Sequence, residues 1–171
     1  MRKSLAAMLL TGVLAVTALP SWADEDESGS PAALAKALPK AKVSLERGLK
    51  ASAKSGKPIS GKYEIEDGAL QLSVYTAKGD QFTEVIVDHN SGAVKKAEKI
   101  TDSDDLKDAK EQSDAMAKAK VPLDQAVEKA VKGNSGYRAV KVEPMLEGGK
   151  PVAEVTLMKG AEAKKVAEKL D

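Results

Sequence analysis

The sequence predicts an α+β fold of two related modules, each a single helix packed on an antiparallel β-meander, joined by a helical linker. Three observations carry this. Residues 37–46 (ALPKAKVSLE) and 115–124 (AMAKAKVPLD) share six of ten positions at an offset of 78, and Val74–Gly79 lines up with Val155–Gly160 at an offset of 81. A chain that repeats itself at this spacing is built from two copies of one supersecondary unit. In each copy the apolar period then changes from helical to two, and glycine-bearing turns separate the alternating runs.

A short helix is expected over Pro31–Lys40, stopped or kinked at Pro39. Ser44 follows as an N-cap, and Leu45, Leu49 and Ala53 recur at helical spacing until Ser55-Gly56, predicting about three turns. Tyr63 and Ile65 then alternate with charged neighbours. Asp67-Gly68 signals a two-residue hairpin, and Leu70, Leu72 and Val74 resume the alternation as far as Ala77. Lys78-Gly79-Asp80 turns again. Phe82, Val85, Ile86 and Val87 make a third strand, closed by the turn Asp88-His89-Asn90-Ser91-Gly92.

The linker, 101–118, is polar with sparse apolar positions at Leu106, Ala109 and Met116, which predicts an exposed helix. Thr101 or Ser103 is placed to cap it, and Asp102, Asp104 and Asp105 suit the positive end of its dipole. In the second copy Pro122 suits a helix start, and Leu123, Ala126, Val127, Ala130 and Val131 form an apolar stripe ending at Gly133. Ala139–Glu143 reads as a strand, Glu147–Lys150 as a turn and Val152–Met158 as the next strand. For 161–170 composition favours helix, whereas alignment to Gln81–Asp88 favours an edge strand holding Val166; two strands alone make a marginal sheet, so a strand is expected. The modules then span 31–100, with its helical arm, and 119–171. Each is small for a core without disulfide or metal, so the two are expected to pack together.

Ahead of them, Met1-Arg2-Lys3-Ser4 is a short positive start, Leu5–Leu19 an apolar run, and Pro20-Ser21-Trp22-Ala23 a small-residue cleavage pattern. Residues 1–23 therefore read as a secretory signal peptide, and the run is short for a bilayer span. Residues 24–30 read as a mobile acidic leader. Removing Arg2 and Lys3 turns 27 basic against 26 acidic residues into 25 against 26, a formal charge of −1. That balance argues against nucleic acid as a partner. The chain has no cysteine and a single histidine, His89, which excludes disulfides and thiolate chemistry and leaves no histidine cluster for a metal. A thiol-free exported chain suits a periplasm, with secretion to the outside as the second choice.

The polar constellations read as structural. His89 and Asp88 sit in a turn with no identifiable nucleophile beside them. Asp102-Ser103-Asp104-Asp105 has the carboxylate alternation of a calcium loop, but the glycine and later glutamate such a loop needs are not at the required offsets. Ser44, Ser60 and Ser91 lack the setting of a nucleophile elbow. Lys36, Lys40 and Lys42 would join Lys118 and Lys120 in a basic strip if the two helical arms packed side by side. No catalytic, cofactor-binding or metal-ligating residue is assigned, and no cofactor is expected.

Val43-Ser44-Leu45-Glu46, the helix, the meander ending near Tyr75, and Thr83-Glu84-Val85-Ile86-Val87-Asp88 with Ser91-Gly92 resemble the PepSY domain. The resemblance covers about residues 42–99 well and 120–171 in part, since the second copy lacks the closing Val-Asp and glycine turn. It implies a cystatin-like helix-on-sheet fold, an exported location, and a non-catalytic binding role in regulating or inhibiting a peptidase or another envelope protein. The alternative is a periplasmic carrier or sensor of a small ligand or metal ion, using the groove between the modules.

Overall fold

The computed structural model describes residues 30–171; the expected signal peptide and nearly all of the acidic leader lie outside them. Helix α1 (Pro31–Ala37) is capped by the Ser30 hydroxyl and runs into a 3-10 turn over Leu38–Lys40. Helix α2 covers Leu45–Ser52, with Ser44 as its N-cap. Strands β1 (Lys57–Glu66), β2 (Ala69–Lys78), β3 (Gln81–Val87) and β4 (Val94–Lys99) follow. Helices α3 (Ser103–Lys118) and α4 (Leu123–Lys132) precede β5 (Arg138–Glu147), β6 (Lys150–Lys159) and β7 (Glu162–Lys169). All seven strands form one antiparallel sheet in the order β4-β3-β2-β1-β5-β6-β7. The fold is thus α+β.

The turns are where the glycines put them. Asp67 and Gly68 both take positive φ, 49° and 75°, as the tight β1–β2 hairpin requires. Gly148 and Gly149 do the same between β5 and β6.

The halves join through β1 and β5, where Gly61 pairs with Val142 and Lys62 with Lys141. Gly61 and Val142 differ by the repeat offset of 81, so an approximate two-fold passes through their pair. Other bonds recur about it. The Lys42 and Val43 amides donate to the His89 carbonyl, as those of Lys120 and Val121 donate to the Leu170 carbonyl. Lys57, the first residue of β1, donates to the Met116 carbonyl at 2.6 Å, and Arg138, the first of β5, donates to that of Leu38 at 3.1 Å.

Helices α2 and α4 pack together on one face of the sheet. Their apolar stripes, Leu45 and Leu49 on one and Leu123, Ala126 and Val127 on the other, are buried over Leu72, Val74, Val142 and Val155 in one shared core. Gly48 lets α2 close on β2, since a Cβ there would stand 2.6 Å from Leu72 Cδ2. The third helix lies on the opposite face. Gly61 looks toward Leu45 and Leu49, whereas its neighbour Ser60 donates to Gln112 Oε1 on α3 at 2.7 Å, and adjacent strand residues point to opposite faces.

Several expectations need correction. Strand β4 was not expected: all six of its residues are exposed, so no buried face imprints an alternation on the sequence. The second helix has eight residues, about two turns, and stops where the Ser52 hydroxyl bonds the Leu49 carbonyl. Helix α3 is not an exposed linker, because Ala109, Ala115 and Met116 are buried. Its cap is Asp102, which accepts from the Asp104 and Asp105 amides, rather than Thr101 or Ser103. Residues 162–169 are a strand, as the alignment favoured.

Candidate functional site

Between α3 and the sheet, above the β1–β5 seam, lies a polar cleft of about 70 Å3. From β1 and β2 it is lined by Ser60, Lys62 and Tyr75, from α3 by Asp105, Asp108 and Gln112, and from β5 by Lys141 and Glu143. The strand residues alternate with the buried apolar ones of the other face, and 105, 108/109, 112 and 116 recur at helical spacing along α3. Those two periodicities were the available signal for this cleft, which sequence reasoning did not assemble because it took α3 for a linker.

Two lysines directly opposite each other on neighbouring strands would repel. Here each is matched by an acid, Lys62 to Glu64 at 2.7 Å and Lys141 to Glu143 at 3.0 Å. The Glu64 carboxylate, almost fully buried, also accepts from the Ser73 hydroxyl at 2.6 Å, and Gln71 donates to Ser73 Oγ at 3.0 Å. Burial is the main cause that raises Glu84 above its ordinary value, with the Glu64 charge adding to it and Lys62 opposing it. Burial likewise raises Asp105, reinforced by Asp102, Asp108 and Asp104 and opposed by Lys62. The Tyr75 phenol is held well above its usual range, first by burial, despite Lys62.

These shifts set a sign. A carboxyl whose folded pKa is raised binds its proton more tightly in the folded state, so its contribution to stability is full below the unfolded value and is lost as pH rises through the folded one. Mild acidification from neutral toward the carboxylate range is therefore expected to stabilise the contact between α3 and the sheet. Glu84→Gln should flatten that rise in thermal midpoint between pH 7 and about pH 5 and raise the midpoint at pH 7. An unchanged pH profile would contradict it. Asp88 has the opposite sign: its contribution is present above the ordinary carboxylate value and lost only as pH falls toward its lowered one.

Asp88 is lowered by a hydrogen bond from Lys95 first, then by the Ser91 and Asn90 amides, all of which favour its charged form. Its Oδ1 accepts from the Asn90 amide at 2.9 Å, the Ser91 amide at 2.7 Å and the Ser91 hydroxyl at 3.0 Å, while Lys95 holds its Oδ2 at 2.7 Å. Arg47 from α2 donates to the Ser91 carbonyl at 3.2 Å, and Gly92 takes a φ of 81° beside that guanidinium. Asp88, Ser91 and Gly92 thus build a turn. His89 contributes its carbonyl to the Lys42 and Val43 amides, and its Nδ1 is buried without a hydrogen-bond partner. Ser44 is occupied as the α2 cap and Ser60 by Gln112.

The acids Asp102, Asp104 and Asp105 open α3, and among the described residues no group of three or more His, Cys, Asp or Glu side chains is arranged to hold a metal ion. The arms do not pack side by side, so the basic strip that such packing would make is not assembled. Arg138 ties the end of the first arm to the start of β5, Lys57 ties the end of α3 to the start of β1, and each is four residues from the seam pair on antiparallel strands. At about 3.3 Å per residue the two arm ends are about 25 Å apart, which keeps Lys40 and Lys42 from Lys118 and Lys120.

No family model matches the sequence, and no curated protein matches it. A crystal structure of a "putative lipoprotein" from Clostridium difficile 630 is similar at 18% identity and a TM-score of 0.39, covering 71% of this chain and 80% of that one. Among the described residues no helix is long and apolar enough to cross a membrane.

Proposed function

We propose that this chain is an exported, non-catalytic docking protein of the periplasm, a tandem PepSY-type module that regulates or inhibits a peptidase. The observation that supports it best is the recurrence of the same backbone bonds, Lys42/Val43 to His89 and Lys120/Val121 to Leu170, at the offsets of the sequence repeat. It fits a doubled unit in which the Val-Asp-x-x-x-Gly segment of the first copy is a structural closure. The polar side chains that a hydrolase would draw on are committed to caps, turns and buried pairs: Ser44 to a helix start, Ser91 and Asp88 to each other, Glu64 to Ser73 and Lys62. What the body offers outward is strand edge and helix surface, above all β4, exposed along its whole length. An extended partner segment added to such an edge gains affinity from main-chain hydrogen bonds, without chemistry.

The reading in which the protein carries an organic ligand between its halves is less well supported. The cleft of about 70 Å3 is far below the ~300 Å3 at which drug-sized pockets begin.

Capture from a periplasmic extract on the immobilised protein, followed by assay of recovered and purified metallopeptidases, tests the proposal. The expected outcome is recovery of a peptidase whose turnover falls when the protein is added in excess. Recovery of no peptidase, together with no inhibition across metallopeptidases, would remove it.

A further inference from the structure

We propose that the sheet face beside the first turn of α3, floored by β3 and β4, docks a basic segment of the partner, an arginine or lysine of which seats between Glu84 and Asp105. The inference rests on the docking reading and names the chemistry of the segment that is docked. Helix α3 lies over β1, β5 and β6 and reaches β2, and among the described residues no helix packs across this face of β3 and β4. Glu84 is on that face, since it stands opposite Tyr75, and Tyr75 opposite Ser60, which bonds α3. Tyr75 and Asp105 line the same cleft, so both carboxylates border one ring.

The other charges of this face are matched. Lys62 is held by Glu64 at 2.7 Å, Lys141 by Glu143 at 3.0 Å and Lys96 by Glu98 at 2.8 Å. Glu84, Asp105 and Asp108 form no ion pair among the described residues. Lys107 and Lys110, about 200° and about 140° around α3 from Asp105, are on the side turned away. Glu84 also stands directly opposite Glu98 on β4, and like charges in that position destabilise a strand pair. The second half does not keep this arrangement. At the repeat offset of 81 Glu84 corresponds to Lys165, which is held by Glu154 at 2.8 Å. One position is thus neutralised in one half and left charged in the other, and a cation is what it lacks. Ile86, half-buried on the same face, gives the aliphatic stem of an arginine or lysine an apolar floor. Glu84 is itself half-buried, so a charge that matches it there counts for more than on an open surface.

Fluorescence anisotropy of a labelled tetra-arginine peptide, titrated with the purified protein at low salt, tests this, with Glu84→Gln and Asp105→Asn as variants and Glu128→Gln as a control. Glu128 is exposed on α4, and its replacement changes the net charge equally. The expected result is binding weakened about fivefold by either variant and less than about twofold by the control. Glu84→Gln is also expected to raise the thermal midpoint at pH 7, so its effects on folding and on binding have opposite signs. Affinity should fall on acidification from pH 7 to about pH 5, because burial raises both carboxyls, with Glu64 adding to it at Glu84, Asp102, Asp108 and Asp104 adding to it at Asp105, and Lys62 opposing it at each. No binding of the peptide at about 1 mM protein, with or without saturable binding of calcium in its place, would overturn the proposal, as would equal weakening by all three variants. A peptidase captured equally by the wild-type chain and by Glu84→Gln would remove this inference alone, whereas the expected peptide binding with no peptidase recovered would remove the peptidase reading alone.

Discussion

Replacing Arg138 by alanine is expected to remove about 3–5 kcal/mol of stability, read as a fall in the urea midpoint without loss of a single transition. Its guanidinium donates to the carbonyls of Leu38 at 3.1 Å and Ala41 at 2.8 Å, and also to that of Val43. It lies 5.3 Å from the Tyr63 ring centroid, and the Tyr63 hydroxyl donates to the same Val43 carbonyl. Hydrogen bonds from a charged donor are worth about 1.5–3 kcal/mol each, and the carbonyls closing the first arm would lose that donor together. Lysine brings charge without the fork, so Arg138→Lys should recover less than half of the loss. A change below about 1 kcal/mol would show that the arm is held by its apolar residues alone. At the matched position Lys57 makes one carbonyl bond, and Lys57→Ala should cost correspondingly less.

The second large effect is expected at Gly61. A Cβ there would stand 3.3 Å from Leu49 Cδ2, 3.4 Å from Leu45 Cδ1 and 3.5 Å from the Ser73 carbonyl. The position across the seam holds a fully buried valine, so Gly61→Val makes the two sides alike in sequence and overfills the space beneath α2. Overpacking of this kind costs about 1–3 kcal/mol. Adding Leu49→Ala should return part of it, because the two changes share the same space; strictly additive losses would mean that α2 moves aside freely.

How far the sequence reaches can be judged from these residues. Strands β1, β2, β3, β5 and β6 are legible because the face of each under α2 and α4 is apolar and the opposite face largely polar, which writes a period of two. Strand β4 has no buried face, yet Lys95-Lys96-Ala97-Glu98-Lys99 is nearly repeated by Lys164-Lys165-Val166-Ala167-Glu168-Lys169, a trace of a second lysine-fringed edge that a comparison of the two segments exposes. Arg138 reads as an ordinary surface charge ahead of a strand, since its acceptors are about 100 residues away and belong to the other half. Gly61, inside an alternating run, did carry information: glycine within a strand marks a close approach of other atoms. The cleft stayed hidden because its lining comes from four elements whose meeting is fixed by the seam register, and only two residue pairs set that register.

Joined at this seam, the sheet is one body, and a rigid body presents its edges already formed, which spares a docking partner the cost of ordering them. Native-state hydrogen exchange in increasing denaturant tests this most directly, comparing the amides of Val74 and Val155, buried at matched positions in the two halves. The expected result is that both exchange through the same opening, with equal free energy and equal denaturant slope. Separate openings, with one half exchanging at lower free energy while the other stays closed, would contradict the single body on which the docking role and the effects at Arg138 and Gly61 depend.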